Sequence, residues 1–266
     1  QTPYFPYVLR TLFWITGGKH LLFEARLLQM IFISSIGFIF LRLAAILSGS
    51  RGMALACLIL LASNDIFRTA FPFACNYNLA LLFTLAGFWA YWEFKSRGQE
   101  LLAQGIAGLC MGLAIGTKLT YGLLPLCFVL PILFEYGFSV RTTKLFSAFI
   151  AGLALGLLPA AYVCISAGFN ASFYNNVWYH FLNARWRQET GLVEGVTFLG
   201  RMKSAKGMLL SPRSELLLVL ALFLAAAFIT QQRFVLWRKN SLMIQYGLLF
   251  LVSVAMFLIP SPIQIA

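Results

Sequence analysis

Long apolar runs joined by short polar connections occupy most of this chain. A helix needs about 20 apolar residues to cross the hydrocarbon core of a bilayer. Eight runs approach that length, at residues 27–48, 53–66, 77–94, 103–117, 119–134, 145–167, 214–231 and 241–260. Only 11% of the residues are charged, against about 25% in soluble domains. The pattern predicts an all-α, polytopic transmembrane helical bundle that forms a single domain over residues 1–266.

Cations in the short connections predict the orientation of the bundle. Alternate connections are basic, and they contain Arg51, Lys95, Arg97, Arg141, Lys144, Arg233, Arg238 and Lys239. The opposite short connections hold only Arg68 and Lys118. Because cytoplasmic loops are enriched in Lys and Arg, the first side is predicted to be cytoplasmic. Two longer basic segments, 1–26 and 168–213, oppose this count, but the alternation of the short connections outweighs them. We expect a multi-pass protein of the bacterial inner membrane whose basic short connections face the cytoplasm and whose opposite side is periplasmic.

The net charge of +12 raises the question of an anionic partner. The cations lie between apolar runs rather than in a basic arm, which favours membrane lipids and phosphorylated lipids over nucleic acid. The segment 168–213 is predicted to be an outer interfacial loop, because its aromatic residues recur at near-helical spacing. The sequence begins with Gln, and we expect the chain to be an internal fragment of a longer protein.

A few polar residues are candidates for chemistry. Asp65, the only aspartate, ends an apolar run, where an ionisable group is costly and is by default a functional candidate. A helical pair with Arg68 explains it equally well. Lys118 interrupts an apolar stretch and either extends to the interface or binds phosphate. Arg26 has the same two interpretations.

Residues 178–187 carry a further group of candidates. Arg185 and Arg187 flank Trp186 and suit bidentate phosphate recognition, although a solvated basic surface is an equal alternative. His180 lies among aromatic residues and is more typical of a hydrogen-bonded structural histidine. No metal-ligand spacing is present, so no metal or other cofactor is predicted, and a divalent cation has no support in the sequence. Gly108, Gly112 and Gly116 predict a packing face on one helix.

The run Gly108–Thr120 resembles a recurrent stretch in polytopic glycosyltransferases of the GT-C fold, in the branch of protein O-mannosyltransferases and lipid A aminoarabinose transferases. Two further stretches fit this resemblance. Residues 3–26 are similar to the end of that family's first outer loop, and residues 63–83, with Asn76, Tyr77 and Asn78, are similar to the next outer turn. The three motifs cover most of residues 1–165 in the family's order.

The resemblance implies an enzyme that transfers a sugar from a polyprenyl-phosphate donor to an unidentified acceptor at the periplasmic or lumenal face. It implies an inverting displacement with a carboxylate as general base. The family's catalytic acid is expected before residue 1, which leaves Asp65 as a weak candidate here. Phosphate-binding candidates are Arg26, Arg68, Lys118, Arg185 and Arg187, and candidates for sugar or acceptor contact are Asn76, Tyr77, Asn78 and His180. A surface-polysaccharide polymerase or ligase and a secondary transporter remain alternatives.

Overall fold

A computed structural model of the protein describes residues 4–63 and 76–174, together with Gln245, Leu248 and Leu249. Every regular element in this part of the chain is helical. The α-helices are α1 (Tyr4–Thr16), α2 (Leu21–Ser48), α3 (Arg51–Ser63), α4 (Asn76–Ser96), α5 (Glu100–Thr117), α6 (Leu126–Tyr136), α7 (Val140–Ser166) and α8 (Phe169–Phe173). A 3-10 helix, Leu119–Leu123, joins α5 to α6.

Four helical segments of the described residues are long and apolar enough to cross a membrane, namely Leu21–Ser48, Glu100–Thr117, Leu119–Tyr136 and Val140–Ser166. The protein is therefore a helical membrane protein, as predicted, but the structure does not show eight spans. The run 53–66 is too short to cross a membrane, because α3, which contains most of it, has 13 residues and extends only about 20 Å. Residues 77–94 lie in α4, whose polar and aromatic residues lower its hydropathy.

Two of the predicted spans, 214–231 and 241–260, lie outside the described residues apart from Gln245, Leu248 and Leu249. Of the predicted interfacial loop 168–213, only residues 168–174 are described, and they contain α8.

Local chemistry explains where the long helices end. Gly49 follows α2 with a φ of 65°, and Gly137 follows α6 with a φ of 59°. These left-handed conformations favour glycine, which has no Cβ to clash. Ser139 begins α7 by accepting a hydrogen bond on its side chain from the Thr142 amide at 3.2 Å. The connections at the ends of α2 and α6 are therefore tight turns.

The contact between α5 and α7 is the most extensive in the described bundle, and it depends on glycine. A Cβ on Gly108 would lie 2.9 Å from the Phe149 carbonyl carbon and 3.0 Å from the Leu153 amide nitrogen. Gly112 faces Leu153 and Gly156 in the same way, whereas Gly116 packs against the Tyr4 ring. The predicted packing face is confirmed, and its first two glycines let the two backbones touch.

An aromatic cluster fills the core between α4, α5, α6 and α7. The ring centroids of Phe88 and Phe128 lie 4.6 Å apart, and those of Phe128 and Phe149 lie 5.8 Å apart. Tyr91 meets Phe128 edge-to-face at 5.5 Å. Pairs at these separations contribute about 0.5–1.5 kcal/mol beyond the burial of their area. Leu248 and Leu249 pack against the same cluster.

One end of the bundle gathers the cations of the predicted cytoplasmic connections, and we call it the basic end. Lys95 forms an ion pair with Glu135 at 2.7 Å, and Arg141 forms one with Glu100 at 2.6 Å. The Tyr136 hydroxyl lies 2.9 Å from Glu135 and 3.1 Å from Glu100. These contacts join α4, α5, α6 and α7. The opposite end, where α4 begins and α5 finishes, is called the Lys118 end.

Candidate functional site

Two of the predicted site residues meet at the Lys118 end. The Lys118 ammonium lies over the Tyr77 ring, with its Nζ 3.1 Å from the ring centroid. A cation on an aromatic face is attracted by about 0.5–2 kcal/mol, more when water is excluded. Both side chains are half-buried. The contact joins the beginning of α4 to the end of α5 and holds a positive charge at the edge of an apolar bundle.

The backbone explains why Lys118 stands at this position. Helix α5 stops at Thr117, and Lys118 takes an extended conformation with a φ of −154° and a ψ of 114°. Its amide still donates to the Ala114 carbonyl at 2.8 Å, and the 3-10 helix begins directly after it. Thr117 is fully buried and donates its hydroxyl to the Leu113 carbonyl at 2.7 Å. The chain therefore turns at Lys118, between the predicted runs 103–117 and 119–134.

Asn78 lies in the same region but is enclosed. Its side-chain amide donates a hydrogen bond to the Gln29 side-chain carbonyl, and each residue is only 1% exposed. This pair joins α2 to α4 inside the bundle. Polar groups buried among apolar helices are stable when they bond to each other. The arrangement gives Asn78 a role in fixing the beginning of α4, one residue after Tyr77.

Helix α1 contributes a further polar group through Tyr4. The Tyr4 hydroxyl donates to the Gly156 carbonyl at 2.6 Å and accepts from the Ala160 amide at 3.2 Å. Its ring lies against Gly116, where a Cβ would be 2.7 Å from the ring carbon that bears the hydroxyl. Burial raises the pKa of the Tyr4 hydroxyl above its ordinary value, so the group stays protonated and can donate.

The acidic residues of the described part are all engaged with neighbouring groups. Glu93, Glu100 and Glu135 form ion pairs at the basic end. Glu24 is buried near the start of α2, where it accepts from the Thr16 hydroxyl at 2.6 Å and from the His20 amide at 3.3 Å. These contacts give all four carboxylates structural roles.

The remaining candidates are an exposed arginine and residues that lie wholly or partly outside the described part of the chain. Arg26 is exposed on α2 and forms no ion pair with the described part of the chain. Asn76 begins α4, and its side chain is outside the description. Asp65, Arg68, His180, Arg185 and Arg187 lie wholly outside it. Among the described residues, no group of three His, Cys, Asp or Glu side chains could hold a metal ion.

Sequence reasoning missed Gln29, Tyr4 and Thr117. Gln29 had a visible signal, because it is an amide within the apolar run 27–48 and such groups usually find a partner inside a bundle. Tyr4 and Thr117 had none, since their roles depend on the helices that they meet.

Comparison with protein-family models, with curated proteins and with solved structures gives no match for this chain. The resemblance to GT-C glycosyltransferases therefore stays a prediction, and the function is argued from the residues.

Proposed function

We propose that this chain is part of a membrane glycosyltransferase of the GT-C type, which takes a sugar from a polyprenyl-phosphate donor. The observation that supports the proposal is the half-buried Lys118 ammonium, held over Tyr77 where α5 ends. Lysine is a strong point charge for phosphate. At this position the ammonium has apolar helices on one side and the predicted periplasmic face of the membrane on the other.

A polyprenyl phosphate is an amphipathic ligand, and the surroundings of Lys118 are amphipathic too. Leu119, the next residue, is 47% exposed, and Leu126 at the start of α6 is 40% exposed. Exposed leucines at the edge of a transmembrane bundle offer contact to an isoprenoid chain, while the ammonium attracts the phosphate. The charge and the apolar surface thus lie close together in the sequence and in the fold.

Tyr77 and Asn78 have positioning roles in this proposal. One face of the Tyr77 ring is occupied by the Lys118 ammonium, so the ring fixes where the charge stands. Asn78 holds the beginning of α4 through Gln29. Arg26, Arg68, Arg185 and Arg187 remain proposed phosphate ligands, and Asn76 and His180 remain proposed contacts to sugar or acceptor.

The proposed reaction is an inverting displacement at the anomeric carbon. The acceptor hydroxyl attacks this carbon, its proton passes to a carboxylate, and the bond to the polyprenyl phosphate oxygen breaks. The free lipid phosphate leaves with the negative charge that Lys118 stabilises. The general base is proposed to be Asp65 or, as the family resemblance implies, an acid ahead of residue 1, and the described carboxylates have structural contacts.

The binding step is tested with a long-chain polyprenyl monophosphate and the purified chain in detergent, with bound lipid measured by native mass spectrometry. Lys118→Gln is expected to weaken binding roughly 10-fold or more, because a hydrogen bond to a charged group contributes about 1.5–3 kcal/mol. Lys19→Gln is the matched control, since Lys19 is an exposed lysine in the turn between α1 and α2. Equal affinity of both variants and the unchanged chain would refute the phosphate role.

The catalytic step is tested by an assay of sugar transfer in membranes that contain the protein. Sugar transfer is measured for Lys118→Ala and Arg26→Ala against the Lys19→Gln control. We expect both alanine variants to lose transfer while the control keeps it. Unchanged transfer in both would show that these cations do not hold the donor.

A further inference from the structure

A second cationic feature lies at the basic end, away from Lys118. The turn between α2 and α3 borders an open cavity of about 250 Å³. Its lining residues are Arg42, Ala45, Ile46, Gly49, Ser50 and Arg51. The cavity therefore combines two guanidinium groups with an apolar wall, and none of the described carboxylates lines it.

At the basic end, the described acids pair with cations other than these two arginines. The three described carboxylates, those of Glu93, Glu100 and Glu135, are each paired with a cation on α4 or α7. Arg42 and Arg51 are both exposed, and neither forms an ion pair within the described ranges. The positive charge of the cavity is thus not neutralised by the described acids.

Arg42 is placed where such a charge is costly. It lies on α2 six residues before the helix ends at Ser48, which corresponds to about 9 Å along the axis. A guanidinium at that depth reaches toward the interface and needs an anion or water there. Arg51 stands at the first position of α3, across the turn. The two side chains thus approach one cavity from two helices.

The turn between the two helices is well ordered by its own hydrogen bonds. The Gly49 amide donates to the Ala45 carbonyl at 3.0 Å, and the Ser50 amide donates to the Ser48 hydroxyl oxygen at 3.2 Å. The Ser50 hydroxyl oxygen accepts from the Met53 amide at 3.3 Å. These bonds fix the direction of α3 relative to α2, and with it the spacing of the arginines.

We propose that this cavity binds the headgroup of an anionic phospholipid in the leaflet at the basic end. The lipid phosphate lies between the Arg42 and Arg51 guanidinium groups, and the glycerol and first acyl carbons lie along Ala45 and Ile46. The amphipathic lining favours a lipid over free phosphate, because a free ion gains nothing from the apolar wall. The proposal is independent of the glycosyltransferase assignment, whose site is at the opposite end.

The test uses the full chain in detergent at 0.15 M salt, titrated with phosphatidylglycerol and measured by native mass spectrometry. Arg42→Gln and Arg51→Gln are each expected to weaken binding roughly fivefold, and the double variant roughly 30-fold. Lys144→Gln is the matched control, because Lys144 is an exposed cation of the basic end that does not line the cavity. Its affinity should change less than about twofold, since distant exposed charges are screened at this salt.

Three outcomes would overturn the proposal. The first is a loss of less than twofold in both single variants, each of which is checked for an unchanged melting temperature. The second is an equal loss in the Lys144→Gln control, which would indicate unspecific attraction. The third is competition by soluble glycerol phosphate at the same concentration as the lipid, which would assign the cavity to a free phosphate.

Discussion

Replacing Gly108 with alanine tests the close approach of α5 and α7. The added methyl group would lie 2.9 Å from the Phe149 carbonyl carbon and 3.0 Å from the Leu153 amide nitrogen, and closer still to the Phe149 oxygen. These neighbours are backbone atoms of α7, so no rotamer change relieves the clash. The two helices must move apart by on the order of 1 Å to restore van der Waals contact.

The expected magnitude is the difference of two terms. Overpacking costs about 1–3 kcal/mol, and the upper end applies because backbone resists on both sides. Replacing glycine with alanine inside a helix stabilises the folded state by about 1 kcal/mol, because alanine has the higher helix propensity. We therefore expect Gly108→Ala to lower the free energy of unfolding by about 2 kcal/mol, a factor of roughly 30 in the folded-to-unfolded ratio.

Gly105→Ala is the matched control, one turn earlier on the same helix. Among the described residues, a Cβ there meets only the Ala148 carbonyl oxygen, at 3.8 Å, which is ordinary contact. This variant should be neutral or more stable by up to about 1 kcal/mol. Both are measured by reversible unfolding in mixed micelles with increasing denaturing detergent. The reasoning fails if the two variants have the same stability.

A double variant sharpens the test. Gly152→Ala introduces a methyl group across the same interface, 2.8 Å from the Leu109 amide nitrogen. Once one methyl has separated the helices, the second finds more room. The double variant Gly108→Ala/Gly152→Ala should therefore cost clearly less than the sum of the single variants. Strict additivity would show that the two glycines do not share one contact.

Further predictions concern the polar contacts. Tyr4→Phe should lower the free energy of unfolding by about 1–2 kcal/mol, because it removes the hydroxyl between Gly156 and Ala160. Tyr7→Phe, on an exposed tyrosine of the same helix, should change it little, and an equal loss would contradict the assigned role. At the basic end, Arg141→Gln should change the free energy of unfolding little, since the Arg141 side chain is 59% exposed and its ion pair is screened by solvent. Lys95→Met should cost more in the same unfolding assay, because the Lys95 side chain is only 17% exposed and also contacts Tyr91. Similar losses for Arg141→Gln and Lys95→Met would refute the ranking.

The sequence predicted the membrane class and the positions of the longest helices well. The run 27–48 falls within α2, and the run 145–167 matches α7 except for its last residue, because hydropathy largely decides which segments enter lipid. The ends of these helices were misplaced by up to six residues, since amphipathic first turns and caps extend beyond the apolar run.

Contacts between distant segments could not be read from the pattern. The glycine series on α5 predicted a close packing face but did not identify α7 as its partner. Helix α1 was missed, because the sequence analysis assigned residues 3–26 to the end of an outer loop by their resemblance to GT-C glycosyltransferases. The sequence analysis placed Lys118 and Tyr77 in separate motifs and did not predict their contact, which the structure shows.

The Tyr4 hydroxyl between Gly156 and Ala160 has a consequence for how the protein is made. Helix α7 contains Pro159, which lacks the amide that would bond one turn back, so its outer half is weakened at that point. The group that reinforces it belongs to a residue synthesised more than 150 positions earlier. During synthesis this contact cannot form until α7 has been made, so the weakened point in α7 is bridged only after every residue between α1 and α7 has been synthesised.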